Sequence, residues 1–147
     1  MSVKNLLLLT QRRLDKARQE QSKLAFAISE LQQKSSSISE RIKTLSVQVM
    51  LYEKAQELKP IEFWERQRLK AAILANIAQL EHQIDTISIQ IEKYQQLVEQ
   101  IRRQALLLHS KCEKFQKYLK QKRLERCLKL ERQQENEIEE LFIHVSH

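Results

Sequence analysis

Lys54-Ala55-Gln56-Glu57-Leu58-Lys59-Pro60 decides the fold, because it holds the single proline of a 147-residue chain that has no glycine. Proline lacks a backbone N–H and pushes the residue before it out of the α region, yet its fixed φ suits the first turn of a helix. Lys59 therefore ends one helix, and Pro60 introduces the next with Glu62 close behind. The expected organisation is a helix over 3–57, a turn at 58–60 and a helix over 61–143. So short a connection makes the two helices antiparallel neighbours. The alternative at this stage is one continuous kinked helix paired with another chain.

Working outward from the proline, both flanks carry heptads. Leu7, Leu14, Gln21, Ile28, Ser35, Ile42 and Val49 form one row, and Thr10, Ala17, Leu24, Leu31, Ile38, Leu45 and Tyr52 form the second. Only Thr10, Gln21 and Ser35 break their apolar character, and the 3-4 spacing never slips. On the other flank the rows are Ile73, Leu80, Ile87, Tyr94, Ile101, Leu108, Phe115 and Ile77, Ile84, Ile91, Val98, Ala105, Cys112, Leu119. A sustained period of 3.5 is a coiled-coil seam, and a strand would need alternation at period two. Gln21 and Ser35 read as polar positions that set register. The unbroken heptad across Ser35-Ser36-Ser37 argues against a loop there despite poor helix propensity.

A chain folded about residue 59 brings together residues whose numbers sum to 118 or 119. On that rule Leu45 meets Ile73, Leu31 meets Ile87, Leu14 meets Ala105 and Leu7 meets Cys112. The first helix then runs out opposite residues 115–117, and the second seam loses its apolar character at Lys122, Arg126 and Lys129. An intramolecular hairpin explains that coincidence, whereas a parallel homodimer does not. The fold class expected is all-α: an antiparallel two-helix coiled-coil hairpin with an overhanging C-terminal helix. It forms one elongated unit over 1–147. The overhang, from about 118, keeps a displaced stripe at Leu124, Cys127, Leu128, Leu130, Ile138 and Leu141.

Composition narrows the function. Aromatics are 5% of the chain and charged residues 31%, with a net charge of +7. Without glycine, catalytic and phosphate-cradling loops lose the residue that makes sharp turns cheaply. Two helices side by side enclose no cavity of the size a small molecule needs. Both considerations point away from an enzyme and from a bound cofactor. Leu6–Leu9 is too short for a signal-peptide core and runs straight into Gln11-Arg12-Arg13. No apolar run approaches the roughly 18 residues of a membrane span. Cys112 and Cys127 sit fifteen apart, or about 22 Å along one helix, which is beyond disulfide reach and suits a reducing compartment.

Charge is segregated. Residues 111–132 hold nine Lys/Arg against Glu113, Glu125 and Glu131, residues 1–23 hold six against Asp15 and Glu20, and residues 133–147 hold four glutamates with no Lys or Arg. Both basic segments fall at the end away from Pro60. A solvated helix surface is the plain reading, and an acidic protein partner is the functional one. Lys120–Arg126 loosely matches a basic nucleic-acid cluster, but the interleaved Glu125 and Glu131 and the acidic tail argue against nucleic acid. The Pro60 end carries Tyr52, Phe63 and Trp64. They form either a cap over Tyr52 and Leu58 or an aromatic anchor for a partner. Adjacent aromatics cannot both face one seam, so at least one is exposed. His109 and Cys112 share a helix face, but two ligands make no closed metal site. Glu81 and Asp85 read as a solvated pair, and His144 and His147 as part of a frayed terminus.

Phe115-Gln-Lys-Tyr118-Leu-Lys-Gln-Lys-Arg123, leading through Leu130-Glu-Arg-Gln-Gln134 into the acidic end, resembles the C-terminal third of the SpaM/InvI proteins. With the glycine-poor hairpin and longer basic second helix, the chain is similar to the stalk proteins of bacterial type III secretion systems: the SpaM/InvI and YscO proteins and flagellar FliJ. The resemblance implies a cytoplasmic monomer at the inner-membrane base of the secretion apparatus. Its terminal end would enter the pore of the hexameric secretion ATPase, and its tip would contact the cytoplasmic ring of the export gate. Some members bind secretion chaperones. Carried over, the ATPase-facing residues are Arg12, Arg13, Lys16 and Arg18 with Lys117, Lys120, Lys122, Arg123 and Arg126, and the gate-facing ones are Tyr52, Phe63 and Trp64. No catalytic residue, cofactor, metal, nucleic acid or membrane insertion is implied. The rival from another class is a cytoplasmic coiled-coil scaffold or dimerising adaptor.

Overall fold

The computed structural model describes residues 2–54 and 58–145. Two helices account for nearly all of them: α1 over Val3–Glu53 and α2 over Pro60–Val145. The expected end of the first helix, at 57, lies outside the described residues. No described residue is in a strand, and no peptide bond among the described residues is cis. The chain is an all-α hairpin whose two helices pack against each other.

Local chemistry explains where the helices start. The Asn5 amide donates to Ser2 Oγ (3.2 Å) and the Leu6 amide to the Ser2 carbonyl (3.0 Å), which makes Ser2 the N-cap of α1. At α2 the Lys59 amide donates to Glu62 Oε2 (3.4 Å) and the Phe63 amide to the Lys59 carbonyl (3.0 Å). This is half of a capping box: Glu62 reaches back to the cap position, but Lys59 has no side-chain acceptor to return the bond. Pro60 occupies the first helical position, where a missing N–H costs nothing. α1 runs unbroken through Ser35-Ser36-Ser37, as the heptad requires.

The seam is where the sequence places it. All fourteen row positions of α1 and all fourteen of α2 are buried or half-buried. The most enclosed are Leu14, Ala17, Val49, Ile87 and Cys112, joined by one polar residue, Thr10. Thr10 is tolerated because its hydroxyl donates to the Leu6 carbonyl one turn back (2.7 Å), so no polar group is stranded. From residue 120 to 145 every residue is exposed.

The chain divides into two compact units, one of Met1–Gln19 with Ile101–His147 and one of Glu20–Gln100. In the second unit Glu53 Oε1 meets Lys70 Nζ at 3.0 Å, and the Arg66 guanidinium lies 5.9 Å from the centre of the Tyr52 ring. The end of α1 is thus clasped to the first turns of α2, and the helices run antiparallel. In the first unit, Gln11, Leu14, Asp15 and Arg18 share a groove with His109, Cys112, Glu113 and Gln116. Cys112 therefore sits beside Leu14 and Asp15, one heptad from the Leu7 that folding about residue 59 assigns to it. A heptad seam permits that slide, because displacement by seven residues brings the same faces together again.

Candidate functional site

Cationic side chains of the first unit lie along the stretch that leads to the place where α1 stops covering α2. Arg12, Arg13, Lys16 and Arg18 project from α1, and Lys117, Lys120, Lys122, Arg123 and Arg126 from α2. All nine belong to the same compact unit and all nine are exposed. The seam explains their orientation: with Leu14, Ala17, Cys112 and Leu119 turned inward, the charged residues between them face water. Past Leu119 the former seam positions are themselves Lys122, Arg126 and Lys129. The cationic surface therefore wraps the helix.

Few of these charges are neutralised by fixed partners. Lys122 Nζ lies 3.5 Å from Glu125 Oε2 and 5.7 Å from the centre of the Tyr118 ring. An exposed i,i+3 pair of this kind is worth well under about 1 kcal/mol, so Lys122 remains available to a partner. Nearby, His109 Nε2 meets Glu113 Oε1 at 3.1 Å, also in the open. Burial pushes the Cys112 thiol above its ordinary value, Arg18 draws it back, and Asp15 adds to the rise. That thiol is a core atom, held protonated. Cys127 is exposed on the overhang.

The aromatic end lies in the second unit. Phe63 and Trp64 form an edge-to-face pair with ring centres 6.0 Å apart and planes at 73°. Trp64 is 66% exposed and Phe63 48%, so much of this aromatic pair faces water. Tyr52 is half-buried, with the Arg66 guanidinium over its ring. Sequence reasoning picked the three aromatics but missed their neighbourhood. Met50, Leu51, Ile61 and Leu69 are each at least half exposed around them, an apolar surface of the kind partners cover. The available signal was that Met50, Leu51, Ile61 and Leu69 all fall off the heptad rows.

A second feature was only half legible. Ile138, Leu141, Phe142 and Val145 line one apolar hollow on α2. Their i, i+3, i+4, i+7 spacing defines a helix face, with Glu135, Glu137, Glu139 and Glu140 distributed around it.

The described residues contain no group of three or more His, Cys, Asp or Glu placed to hold a metal ion. No described helix is long and apolar enough to cross a membrane. The arrangement is suited to charge recognition along a helix surface. The family described as Salmonella surface presentation of antigen gene type M protein has a model that matches residues 1–142. No curated protein and no solved structure matches the chain.

Proposed function

This chain belongs to the Salmonella surface presentation of antigen gene type M family, a family associated with type III secretion. From that premise we propose that it is the central stalk of a secretion system, its basic terminal end seated in the hexameric secretion ATPase and its aromatic tip against the export gate. On this reading it works in the cytoplasm, performs no turnover of its own, and couples or stimulates its partner's ATP hydrolysis.

The observation that carries the reading is the exposure of nine cations in one compact unit, at the place where the second helix emerges from its partner. A single shaft inside a six-fold ring cannot be sterically complementary to six identical subunits at once. A contact made by long, flexible cationic side chains facing acidic pore loops avoids that mismatch, because charge attraction tolerates rotation where close packing does not. Such a contact weakens as salt is added.

The test is ATP hydrolysis by the secretion ATPase with and without this protein. Wild type is expected to stimulate hydrolysis, less so at high ionic strength, and the double variant Arg123→Glu, Arg126→Glu is expected to lose most of that effect while keeping its helicity. Full stimulation by the charge-reversed chain would remove the shaft assignment.

A further inference from the structure

We propose that two copies of this chain pair antiparallel through residues 124–145, each covering the other's exposed apolar stripe. The stripe has a palindromic spacing. Positions 124, 127, 128 and 131 are separated by three, one and three residues, and positions 138, 141, 142 and 145 repeat that spacing beyond a polar centre at Gln134 and Glu135. A two-fold axis between 134 and 135 therefore sets Leu124 against Val145 of the second copy, Cys127 against Phe142 and Leu128 against Leu141. Only the fourth layer, Glu131 against Ile138, is mixed. Leu128 is 48% exposed and Phe142 77%, and nothing in α1 reaches this stretch.

Charge selects a second copy, and antiparallel order, as the occupant. Within the paired stretch, residues 124–134 carry three Lys/Arg against two Glu, while residues 135–145 carry four Glu and no Lys or Arg. Antiparallel pairing lays the cations of each copy beside the other's four glutamates, whereas parallel pairing would stack the glutamates of both copies on one another. Arg132 and Glu139, seven residues apart, lie on the same flank of the stripe. They face one another across the dyad twice over, as an isologous contact requires. The stripe is also offset from the intrachain seam, whose continuation is charged at Lys122, Arg126 and Lys129, so pairing of the overhangs leaves the hairpin intact. Three heptads are short for a coiled coil, so the dimer is reversible and concentration-dependent.

The inference does not depend on the stalk reading, and its experiment contains no ATPase. Sedimentation equilibrium of the full chain under reducing conditions, across the micromolar range, is expected to show a monomer–dimer equilibrium. Leu128→Glu and Leu141→Lys should each weaken it at least about tenfold, the equivalent of about 1.4 kcal/mol. Mixing those two variants should recover part of the loss, because position 128 of one copy faces position 141 of the other. A second measurement fixes direction. In a Cys112→Ser, Phe142→Cys chain, oxidation should join Cys127 of one copy to the introduced thiol at 142 of the other. A wild-type chain that stays monomeric, a dimer indifferent to both charge variants, or linkage of Cys127 to Cys127 would each overturn the proposal.

Discussion

Residues 101–119 and 120–145 are consecutive stretches of one helix in one compact unit, and they differ in whether a facing helix covers them. The first has Ile101, Ala105, Leu108, Cys112, Phe115 and Leu119 turned toward α1, each at least half-buried. The second has Leu124, Leu128, Ile138 and Leu141 on a displaced stripe interrupted by polar residues, and every one of them lies in water. Leucine content and periodicity alone do not bury a helix. Burial requires a facing helix whose register matches, and α1 begins at Val3. The comparison separates the stretch that holds the fold from the stretch free to recognise something else.

The strongest way to break that division is to cut matching side chains from each part. Leu14 is 6% exposed and packs in the groove beside Cys112, while Leu128 is 48% exposed. Leu14→Ala removes a buried side chain and leaves a void that a two-helix structure closes only in part. It should cost about 2–3 kcal/mol, near the lower end for buried leucines. Leu128→Ala at a concentration where the chain is monomeric should stay within about 0.5 kcal/mol of wild type. Denaturant unfolding followed by circular dichroism checks both. Equal losses would mean that residues 120–145 are covered in solution by α1 and that the division is wrong.

The cysteines sharpen the same contrast without altering a residue. Cys112 is buried and its thiol is held protonated by that burial, whereas Cys127 is exposed. Alkylation needs both access and thiolate. Under native conditions Cys127 should react at least about tenfold faster than Cys112, and denaturant should abolish the difference. Peptide mapping by mass spectrometry after timed iodoacetamide exposure reads both sites in one sample. Comparable native rates would show that the seam around Cys112 opens readily.

Truncation gives a smaller effect on stability. Deleting residues 121–147 removes a segment whose described residues make no seam contact, so the melting temperature of what remains should shift by no more than about 2–4 °C. The helical signal should fall roughly in proportion to the residues lost. A large drop in melting temperature would mean that the overhang supports the hairpin, and that the exposed stripe is structural.

Much of this was legible in the sequence because a heptad is a long-range statement written locally. Each apolar row predicts its own burial, and all twenty-eight row positions are turned inward. Thr10 shows why an apparent exception did not matter, since its hydroxyl found the Leu6 carbonyl within its own helix. Register was less legible. Folding about residue 59 assigns Leu7 to Cys112, but the groove sets Leu14 and Asp15 there, because heptad rows look alike when displaced by seven. The Pro60 end was the least legible part. Nothing in the spacing of Tyr52, Phe63 and Trp64 announces that Arg66 lies over the tyrosine, a contact made by one long side chain across two helices. The basic residues were easily found, because solvent-facing charges follow once the seam is fixed.

The smallest expected effect isolates one seam atom group. Burial is the leading cause of the raised Cys112 value, so the folded chain binds that proton more tightly than the unfolded chain, whose ordinary value is 9.0. The sign follows from linkage. Where the folded state holds more protons than the unfolded one, stability falls as pH rises. The contribution from this thiol is therefore fully present below pH 9.0 and declines as pH climbs from that value toward the higher folded one. Arg18 limits the size of the effect by favouring the thiolate, and Asp15 opposes Arg18. Unfolding free energies measured under reducing conditions at pH 7 and at pH 10 should fall more for wild type than for Cys112→Ser. Every group common to both chains cancels in the difference. Equal falls would show that Cys112 meets water in solution as freely as Cys127, which would place the end of the protected seam before residue 112.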